Sequence, residues 1–426
     1  MTLRLRALVL VRAFTQPSAL VMFFFGFSSG LPFLLVGGTL SGWLKQSGVT
    51  LDSIGLISYL SLTYSLKFVW APLVDRLPLP VFRYFGQRRG WLLLAQCVLG
   101  LALLGMAYLT PGGRLLPFLL MVGVAAFAGA TQDTVIDAYR IEIAPPEEQG
   151  ALASTYTFGY RIALIASGAL ALVLAQQVGW ASAYRVMAAL LLVPIVATLV
   201  AREPSHVRRR ARDLRDALQD GVIGPFARFF SRFGGWLGTW LLLFILLFKI
   251  SDQMLGPIAL PFYLHAGFSL VQIAEVSKVF GVMVGLAGAF AGGAAVLRWR
   301  AERCMPWALA AAAVSNLLFL LLSWHPGQVD WFIVMIVGDN FSTGLLGTVA
   351  VAFLSDLTDH RYTATQYALF SSLTVVSGKL IGGLSGVFVT TIGYDGYFIF
   401  SCLATLPALA IWWRLRPLLD RHRATG

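Results

Sequence analysis

Long apolar stretches alternate with short polar segments along the whole chain, and this alternation indicates a protein built of membrane-spanning helices. A helix needs about 20 mainly apolar residues to cross the hydrocarbon core of a bilayer. Backbone polar groups in lipid must be satisfied internally, and the sequence lacks the short alternating strands of a membrane barrel. The pattern therefore predicts twelve helical spans, at residues 18–42, 53–74, 91–109, 115–138, 152–176, 184–201, 236–263, 270–297, 307–324, 331–356, 364–390 and 396–413.

Charged residues inside the spans repeat with a period of three helices. The second helix of each triplet carries one basic residue, the first helix of each later triplet carries acidic residues, and the third carries no charge in its interior. A charge in hydrocarbon is costly, so such residues usually face a bundle interior or a water-filled cavity. Four similar triplets around one aqueous path are typical of a transporter. The basic residues are Lys67, Arg161, Lys278 and Lys379, and the acidic ones are Asp133, Asp137, Asp252 and Asp339.

The longest polar stretch divides the spans into two sets of six. We predict an N-terminal six-helix half at 1–201, a basic cytoplasmic linker at 202–235 and a C-terminal six-helix half at 236–426. Two halves of two triplets each match the nested repeats of the major facilitator fold. Similar tripeptides around Gly179 and Gly393 follow spans 5 and 11. The predicted fold class is an all-α membrane protein of this fold, with two pseudo-symmetric halves.

Most of the 32 lysines and arginines flank the spans on the side of the N-terminus, and only Lys45 and Arg114 lie in loops on the opposite side. The positive-inside rule therefore predicts a multi-pass protein with both termini in the cytoplasm. Topology accounts for the net charge of +12, which gives no reason to predict a nucleic-acid partner. The three cysteines are scattered without metal-ligand spacing, so we predict no metal or other cofactor.

Asp133 and Asp137 lie four residues apart and therefore share one face of span 4. Two carboxylates this close repel each other, and burial further disfavours the charged form, so one of them is a candidate proton carrier. Asp133 lies deeper and is the stronger candidate. Asp137 lies one turn from Arg140 and is more typical of a gate or a structural pair. The alternative for Asp133 is a fixed salt bridge to Arg161 or Lys67.

The basic residues of the spans are candidates to attract an anionic substrate. A guanidinium such as that of Arg161 can bind a carboxylate with two hydrogen bonds. Lys249 and Asp252 lie three residues apart on span 7, where they could instead neutralise each other. The span charges balance, so pairing alone could account for them. The predicted substrate-binding residues are Gln132, Lys67, Tyr160, Arg161, Lys249, Lys278 and Lys379, and the predicted proton-coupling residues are Asp133, Asp137, Asp252 and Asp339.

The loop between spans 2 and 3 contains an acid followed by clustered cations. This arrangement is similar to the cytoplasmic loop signature of major facilitators, in which salt bridges lock one state and break on opening. The alternative is a loop whose charges only fix topology. The predicted gating residues are Asp75, Arg76, Arg88 and Arg89.

Several short motifs occur together along essentially the whole chain. The most specific is the run Gln132-Asp133-x-Val135-x-Asp137-Ala138 on span 4. The others include Ser29-Gly30-Leu31-Pro32, Lys67-Phe68, Arg88-Arg89-Gly90-Trp91, Gly159-Tyr160-Arg161, Lys249 with Asp252, Lys278, and Ala364-Thr365-Gln366. With these motifs the chain resembles the AmpG-type muropeptide permeases of the major facilitator superfamily.

The resemblance implies a specific function. Members of this family import N-acetylglucosaminyl-anhydro-N-acetylmuramic acid, with or without a short peptide, across the bacterial inner membrane for peptidoglycan recycling. The proton gradient drives this import, which contributes to antibiotic resistance in some hosts by feeding β-lactamase induction. A ligand carboxylate would suit Lys67, Arg161, Lys278 or Lys379. The implied partners are the anionic muropeptide, protons and membrane lipids, and we expect a monomer.

Two rival functions remain. The first is a proton-driven efflux antiporter for amphiphilic compounds, although the buried basic residues disfavour a cationic substrate. The second is a membrane-embedded enzyme or lipid scramblase that acts on wall precursors. The sequence carries no Gly-rich phosphate loop, no H-E-x-x-H and no G-x-S-x-G context, which counts against an enzyme.

Overall fold

A computed structural model describes residues 17–71, 74, 79, 83–112, 115–143, 149–204, 224–357 and 363–425. These residues are helical almost throughout and include no β-strand. Among them, ten helical segments are long and apolar enough to cross a membrane, and they account for every predicted span except the second and the eleventh. Those two spans are present as shorter helical pieces, so the all-helical prediction is confirmed.

In the first half, five of the six spans contain long helices. They are Pro17–Leu35 and Gly38–Gln46 in span 1, Gln87–Leu109 in span 3, Leu115–Ile143 in span 4, Gln149–Ile165 and Ala171–Val178 in span 5, and Trp180–Leu190 and Leu192–Val200 in span 6. The π-helical stretch Ala166–Leu170 joins the two parts of span 5. Span 2 is a succession of α and 3-10 turns, namely Leu51–Ile57, Ser58–Leu62, Thr63–Leu66 and Lys67–Val69.

In the second half, spans 7, 8 and 11 each consist of more than one helical piece. The helices are Gly224–Leu247 and Ile250–His265 in span 7, Leu270–Ile273 and Gly281–Trp299 in span 8, Ala301–Trp324 in span 9, Val329–Leu357 in span 10, Thr363–Gly382 in span 11, and Leu406–Thr425 in span 12. The π-helical stretch Ala274–Phe280 joins the parts of span 8. The helix Ser385–Leu403 bends at Gly393, where span 11 ends and span 12 begins.

Matching breaks between helices occur at corresponding points of the two halves. Gly179 (φ 84°) separates spans 5 and 6, and Gly393 (φ 73°) separates spans 11 and 12. Gly86 (φ 87°) precedes span 3, and Arg300 (φ 66°) precedes span 9. A positive φ favours glycine because glycine has no Cβ. The echo predicted at Gly179 and Gly393 is therefore confirmed as a shared helix break.

The turns after spans 1 and 7 are also alike. Gly48 (φ 82°) and Gly267 (φ 90°) reverse the chain in these turns. Two residues later, the side chains of Thr50 and Ser269 each accept a hydrogen bond from a backbone N–H in the first turn of the next helix. Such N-caps satisfy donors that a helix start leaves unpaired. The two halves therefore share local turn chemistry as well as the rhythm of charges.

Replacing Arg300 by glycine should stabilise the protein. Arg300 has φ 66° and ψ 150°, a region used almost only by glycine, and a non-glycine residue there is strained by about 1–3 kcal/mol. Glycine adds about 0.4–1 kcal/mol of chain entropy to the unfolded state. The free energy of unfolding in detergent should therefore rise by about 1 kcal/mol. The control Arg303→Gly, inside the following helix, should lower it by about the same amount. Equal effects of the two changes would refute strain at Arg300.

The chain forms two compact units. The first comprises Met1–Val49 and Leu60–Arg210, and the second comprises Thr50–Tyr59 and Ala211–Gly426. A core cluster of the first unit is formed by apolar residues from all six of its spans. The core of the second unit contains an aromatic group in which Phe244, Phe353 and Trp412 contact one another. The predicted boundaries of the halves stay predictions.

Glycines bring helices into backbone contact in both units. In the first unit, a Cβ on Gly26 would overlap the backbone oxygen of Tyr156, and a Cβ on Gly159 would overlap the backbone of span 1. In the second unit, Gly288 of span 8 packs in the same way against the backbone oxygen of Phe341 in span 10. Small residues permit such close approach. The contact between spans 1 and 5 places Tyr156 beside the acidic residues of span 4.

Candidate functional site

A chain of charges surrounds Asp133 in the first unit. The Lys67 ammonium forms an ion pair with Asp133 Oδ2 and lies 3.4 Å from Asp137 Oδ2. Asp137 Oδ1 lies 4.0 Å from Arg140 Nη2. The side chains of Lys67 and Asp133 are 30% and 19% exposed, so both are partly shielded and both remain accessible. Lys67 of span 2 therefore lies between the two carboxylates of span 4, and Arg140 lies beyond Asp137.

Two hydroxyl groups hold the other oxygen of Asp133. Ser29 Oγ donates a hydrogen bond to Asp133 Oδ1. The Tyr156 hydroxyl lies 3.2 Å from the same carboxylate oxygen and 2.9 Å from Ser29 Oγ. The ring of Tyr160, one turn later, lies 6.3 Å from that of Tyr156 and close enough to Asp133 for electrostatic interaction. Asp133 therefore joins spans 1, 2, 4 and 5 through their side chains.

Of the two salt bridges considered for Asp133, the one to Lys67 is formed. Arg161 is exposed, and it makes no ion pair with any residue that the structure describes. It lies near enough to Tyr160 for electrostatic interaction. The guanidinium of Arg161 is therefore open to a ligand, and its predicted role in binding substrate stays a prediction.

Gln132 is next to Asp133 in sequence but makes a separate set of contacts. Its side chain is 0% exposed; Oε1 accepts a hydrogen bond from Ser28 Oγ (3.0 Å), and Nε2 donates one to the Ser28 backbone oxygen (2.5 Å). Ser28 Oγ also accepts a hydrogen bond from Gln96 Nε2 (3.2 Å), and Gln96 Oε1 accepts one from Thr198 Oγ1 (3.0 Å). The structure therefore does not bring Gln132 together with Lys67, Tyr160 and Arg161.

In the second unit, Asp252, Lys278 and Asp339 lie near one another. Asp339 interacts electrostatically with both Asp252 and Lys278, although no ion pair joins these three described residues. Asp252 Oδ1 accepts a hydrogen bond from Thr343 Oγ1 (2.9 Å). Lys278 is half-buried in the π-helical stretch Ala274–Phe280, and such stretches are frequent at functional sites. The structure therefore groups three of the predicted site residues.

Lys249 and Lys379 occupy separate positions in the same unit. Lys249 and Asp252 both lie in the described part of the chain, and they do not form the ion pair that their spacing allows. Span 7 is interrupted there: Lys249 (φ −102°, ψ 2°) precedes the helix Ile250–His265, so the geometry of a continuous helix does not apply. Lys379 is half-buried in the last turn of Thr363–Gly382.

Arg88 fastens the start of span 3 to spans 4 and 6. Its guanidinium binds Glu142 with two hydrogen bonds, Nε to Oε2 (2.9 Å) and Nη2 to Oε1 (2.6 Å). The carboxylate of Glu203 accepts hydrogen bonds from the backbone N–H groups of Arg88 (2.8 Å) and Arg89 (3.1 Å). Helix N-termini favour anions in this position. These contacts hold the first unit together at one end, and the gating role of Arg88 and Arg89 stays a prediction.

Replacing Arg88 by methionine should destabilise the first unit. The Arg88 side chain is 9% exposed and that of Glu142 is 25% exposed, so the change removes two charge-assisted hydrogen bonds from a largely buried carboxylate. Loss of one partner from a buried pair costs about 3–5 kcal/mol, and partial exposure lowers the expected loss to about 2–3 kcal/mol. Thermal unfolding in detergent measures it. Arg185→Met, a control at an exposed arginine above the ring of Tyr108, should change little. Similar shifts for both variants would contradict this assignment.

The charge pattern of the sequence did not reveal the uncharged groups and the acids that hold the predicted residues. Hydroxyl groups are common in spans and carry no distinguishing pattern. The two glutamates could have been found, because each follows a span on the same predicted side as Arg88. The missed partners are Ser29, Tyr156, Thr343, Glu142 and Glu203. The other two predicted gating residues, Asp75 and Arg76, lie outside the described residues.

Metal ligands are not grouped in the described part of the chain: no three His, Cys, Asp or Glu side chains there could hold one ion. The described cysteines are unpaired and lie apart in spans 3, 9 and 12. Among the described residues, the charged side chains of the spans therefore remain the candidates for proton coupling and substrate binding.

Comparisons with known proteins agree with this architecture. The family profile of the Major Facilitator Superfamily matches residues 19–338. Among solved structures, the D-xylose-proton symporter is 14% identical with a TM-score of 0.70, covering 93% of this chain and 97% of its own. The nucleoside transporter NupG is 13% identical with a TM-score of 0.69, covering 95% of this chain and 98% of its own. At this identity the two structures establish the fold alone.

Relatives in sequence are more specific. The anhydromuropeptide permease of Escherichia coli (strain K12) is 34% identical over 415 residues, which cover 97% of this chain and 82% of the relative. The putative transporter AmpG 4 of Rickettsia conorii is 31% identical over 92% of this chain and 94% of its own length. Since such relatives are permeases, the chain is a multi-pass membrane transporter and not an enzyme. The chain therefore belongs to the major facilitator superfamily and, within it, to the AmpG-type muropeptide permeases.

Proposed function

We propose that this chain imports anhydromuropeptides from the periplasm to the cytoplasm, across the bacterial inner membrane, together with protons. The name of the Escherichia coli relative supports the substrate class. The excess of lysine and arginine on one side supports cytoplasmic termini. The proposed driving force is the proton gradient, with no other cofactor, and the proposed working unit is the monomer.

The ion pair between Lys67 and Asp133 is the observation that most directly supports the proposal. While Asp133 is ionised, its carboxylate holds the Lys67 ammonium. A proton that enters from the periplasm and binds Asp133 removes this attraction, and the ammonium then needs another anion. Asp137 lies 3.4 Å away and is one alternative; the carboxylate of the incoming substrate is the other. Proton binding thereby creates a site for an anionic ligand, which couples the two fluxes.

Arg161 and Tyr160 are the proposed substrate contacts beside this pair. Arg161 is exposed and can offer a planar pair of N–H donors to a lactyl or peptide carboxylate. Tyr160 and Tyr156 present rings against which a sugar can pack. The tyrosines also adjoin Asp133, so substrate that packs on them lies close to the proposed proton-binding carboxylate.

The second unit contributes a distinct set of charges to the proposal. Asp252 and Asp339 are proposed to take part in proton coupling, and Asp252 is already held by Thr343. Lys278, Lys249 and Lys379 are proposed to attract the anionic substrate. Because Lys278 and Asp339 interact without forming an ion pair, both can respond to an incoming ligand.

Uptake into proteoliposomes tests the proposal. Labelled N-acetylglucosaminyl-anhydro-N-acetylmuramic acid, with and without its peptide, is offered outside while the interior is held more alkaline than the exterior. We expect accumulation above the external concentration, and its loss when a protonophore collapses the gradient. Accumulation that is indifferent to the gradient would refute proton coupling. Extrusion of amphiphilic compounds from the same vesicles, with no uptake of muropeptide, would favour the efflux antiporter instead.

A further inference from the structure

Consecutive residues on two facing helices of the first unit form two adjacent layers of hydrogen bonds. On span 1 these residues are Ser28 and Ser29, and on span 4 they are Gln132 and Asp133. Ser28 binds Gln132 in one layer, and Ser29 binds Asp133 in the next. The first layer is sealed, since Ser28 and Gln132 are both 0% exposed. The second layer contains the carboxylate of the proposed coupling site.

The sealed layer extends to two further helices. Gln96 of span 3 donates to Ser28 Oγ (3.2 Å), and Thr198 of span 6 donates to Gln96 Oε1 (3.0 Å). Gln96 and Thr198 are also 0% exposed. Buried amides and hydroxyls are costly unless paired, so this network specifies one arrangement of spans 1, 3, 4 and 6. We call these four residues, Ser28, Gln96, Gln132 and Thr198, the first amide pin.

The second unit contains a similar buried hydrogen-bond network, formed by different residues. Asn316 of span 9 donates to Ser251 Oγ of span 7 (2.8 Å) and to Ser401 Oγ of span 12 (3.0 Å). Ser342 of span 10 donates to Ser315 Oγ, beside Asn316 (2.9 Å). All five are at most 5% exposed. We call them, Ser251, Ser315, Asn316, Ser342 and Ser401, the second amide pin.

The layer next to the second amide pin again holds a carboxylate. Asp252 directly follows Ser251, and Thr343 directly follows Ser342. Thr343 Oγ1 donates to Asp252 Oδ1 (2.9 Å), as Ser29 donates to Asp133 in the first unit. The acid and the hydroxyl have exchanged helices between the units. In the second unit the buried serines of spans 7 and 10 bind adjacent residues of span 9 instead of each other, but in both units a buried uncharged layer adjoins the hydroxyl–carboxylate contact.

We infer that each amide pin is a positioning device for the carboxylate in the adjoining layer, of Asp133 in the first unit and of Asp252 in the second. Successive residues of a helix are turned by about 100° and displaced by about 1.5 Å. A slide or rotation of one helix that breaks the pin therefore also separates the hydroxyl from the carboxylate. This inference rests on the proposed function and assigns Gln132 to positioning instead of contact with substrate.

Two variants of the first amide pin test the inference in proteoliposomes. Ser28→Ala removes its central hydroxyl, and Gln96→Leu removes its outer amide while Thr198 keeps a hydrogen bond to Pro194. Each should lower gradient-driven accumulation by about fivefold, the effect of one hydrogen bond. Counterflow, the exchange of labelled for unlabelled substrate without a gradient, should change less than twofold. Tyr184→Phe is the matched control: it removes a buried hydrogen bond to the Leu35 backbone (2.8 Å), away from any carboxylate, and should leave accumulation unchanged.

A double-mutant cycle separates positioning from general weakening. Ser28→Ala combined with Ser29→Ala should be no worse than the more impaired single variant, because both act on Asp133. Asn316→Leu should reproduce the loss of accumulation in the second unit. Normal accumulation by Ser28→Ala and Gln96→Leu, additive losses in the cycle, or equal losses of counterflow and accumulation would each overturn the inference. Failure of the wild type itself to accumulate substrate would instead overturn the proposed function.

Discussion

Replacing Asp133 by asparagine should abolish accumulation of muropeptide against its gradient while leaving the protein folded. The amide keeps the shape of the side chain but cannot take up and release a proton. Lys67 is not stranded, because Asp137 lies 3.4 Å away. With an imposed pH gradient, the wild type should accumulate about tenfold per pH unit for each proton carried. The variant should stop at equal concentrations inside and outside.

Counterflow distinguishes loss of coupling from loss of binding in this experiment. Asp133→Asn should retain it, because exchange requires no net proton movement. Asp395→Asn is the matched control, since Asp395 also accepts hydrogen bonds from two neighbours, Ser323 and Trp324, but lies outside the proposed site. It should accumulate substrate normally. Wild-type accumulation by Asp133→Asn would remove Asp133 from the coupling mechanism.

Replacing Lys67 by methionine should lower both the stability of the first unit and transport. The change leaves Arg140 as the one cation beside Asp133 and Asp137 in the described cluster. Breaking a buried ion pair costs about 3–5 kcal/mol, and because Lys67 and Asp133 are partly exposed, about 2–3 kcal/mol is expected. Thermal or denaturant unfolding in detergent measures the loss. Accumulation should also disappear, because the proposed anion site is gone.

A second change should restore the stability but not the transport. Lys67→Met combined with Asp133→Asn removes one charge of each sign, so the cluster again contains one acid, Asp137, and one base, Arg140. Most of the lost free energy of unfolding should return, and accumulation should remain absent. A double variant as unstable as Lys67→Met alone would show that the ion pair is not the source of the loss.

The sequence predicted the fold and the location of the principal charges because both follow from the cost of exposing polar groups to lipid. Apolar length predicted the helices, and the charge rhythm identified Lys67 and Asp133 as interior residues. It could not choose between Lys67 and Arg161 as the partner of Asp133. That choice depends on the rotation of spans 2 and 5, which close backbone contact at Gly26 helps to fix for span 5.

The remaining differences have local causes. Helix spacing allowed a pair between Lys249 and Asp252, but Lys249 precedes the helix Ile250–His265 and does not have helical backbone angles, so that spacing argument does not apply. Adjacency in sequence grouped Gln132 with Asp133, whereas a turn of about 100° between neighbours directs Gln132 into the buried layer at Ser28 and Asp133 toward Ser29 and Lys67. Gln132 hydrogen-bonds to Ser28, which in turn hydrogen-bonds to Gln96. These partners carry no charge, so the pattern of charged residues could not reveal them.

Proton movement driven by substrate alone is the most direct test of coupling through Asp133. Proteoliposomes that enclose a pH-sensitive dye, with equal pH on both sides, receive anhydromuropeptide in the outer solution. We predict that the interior acidifies as substrate enters through the wild type and stays unchanged with Asp133→Asn. Entry of substrate through the wild type without acidification, or with alkalinisation, would contradict proton-coupled import.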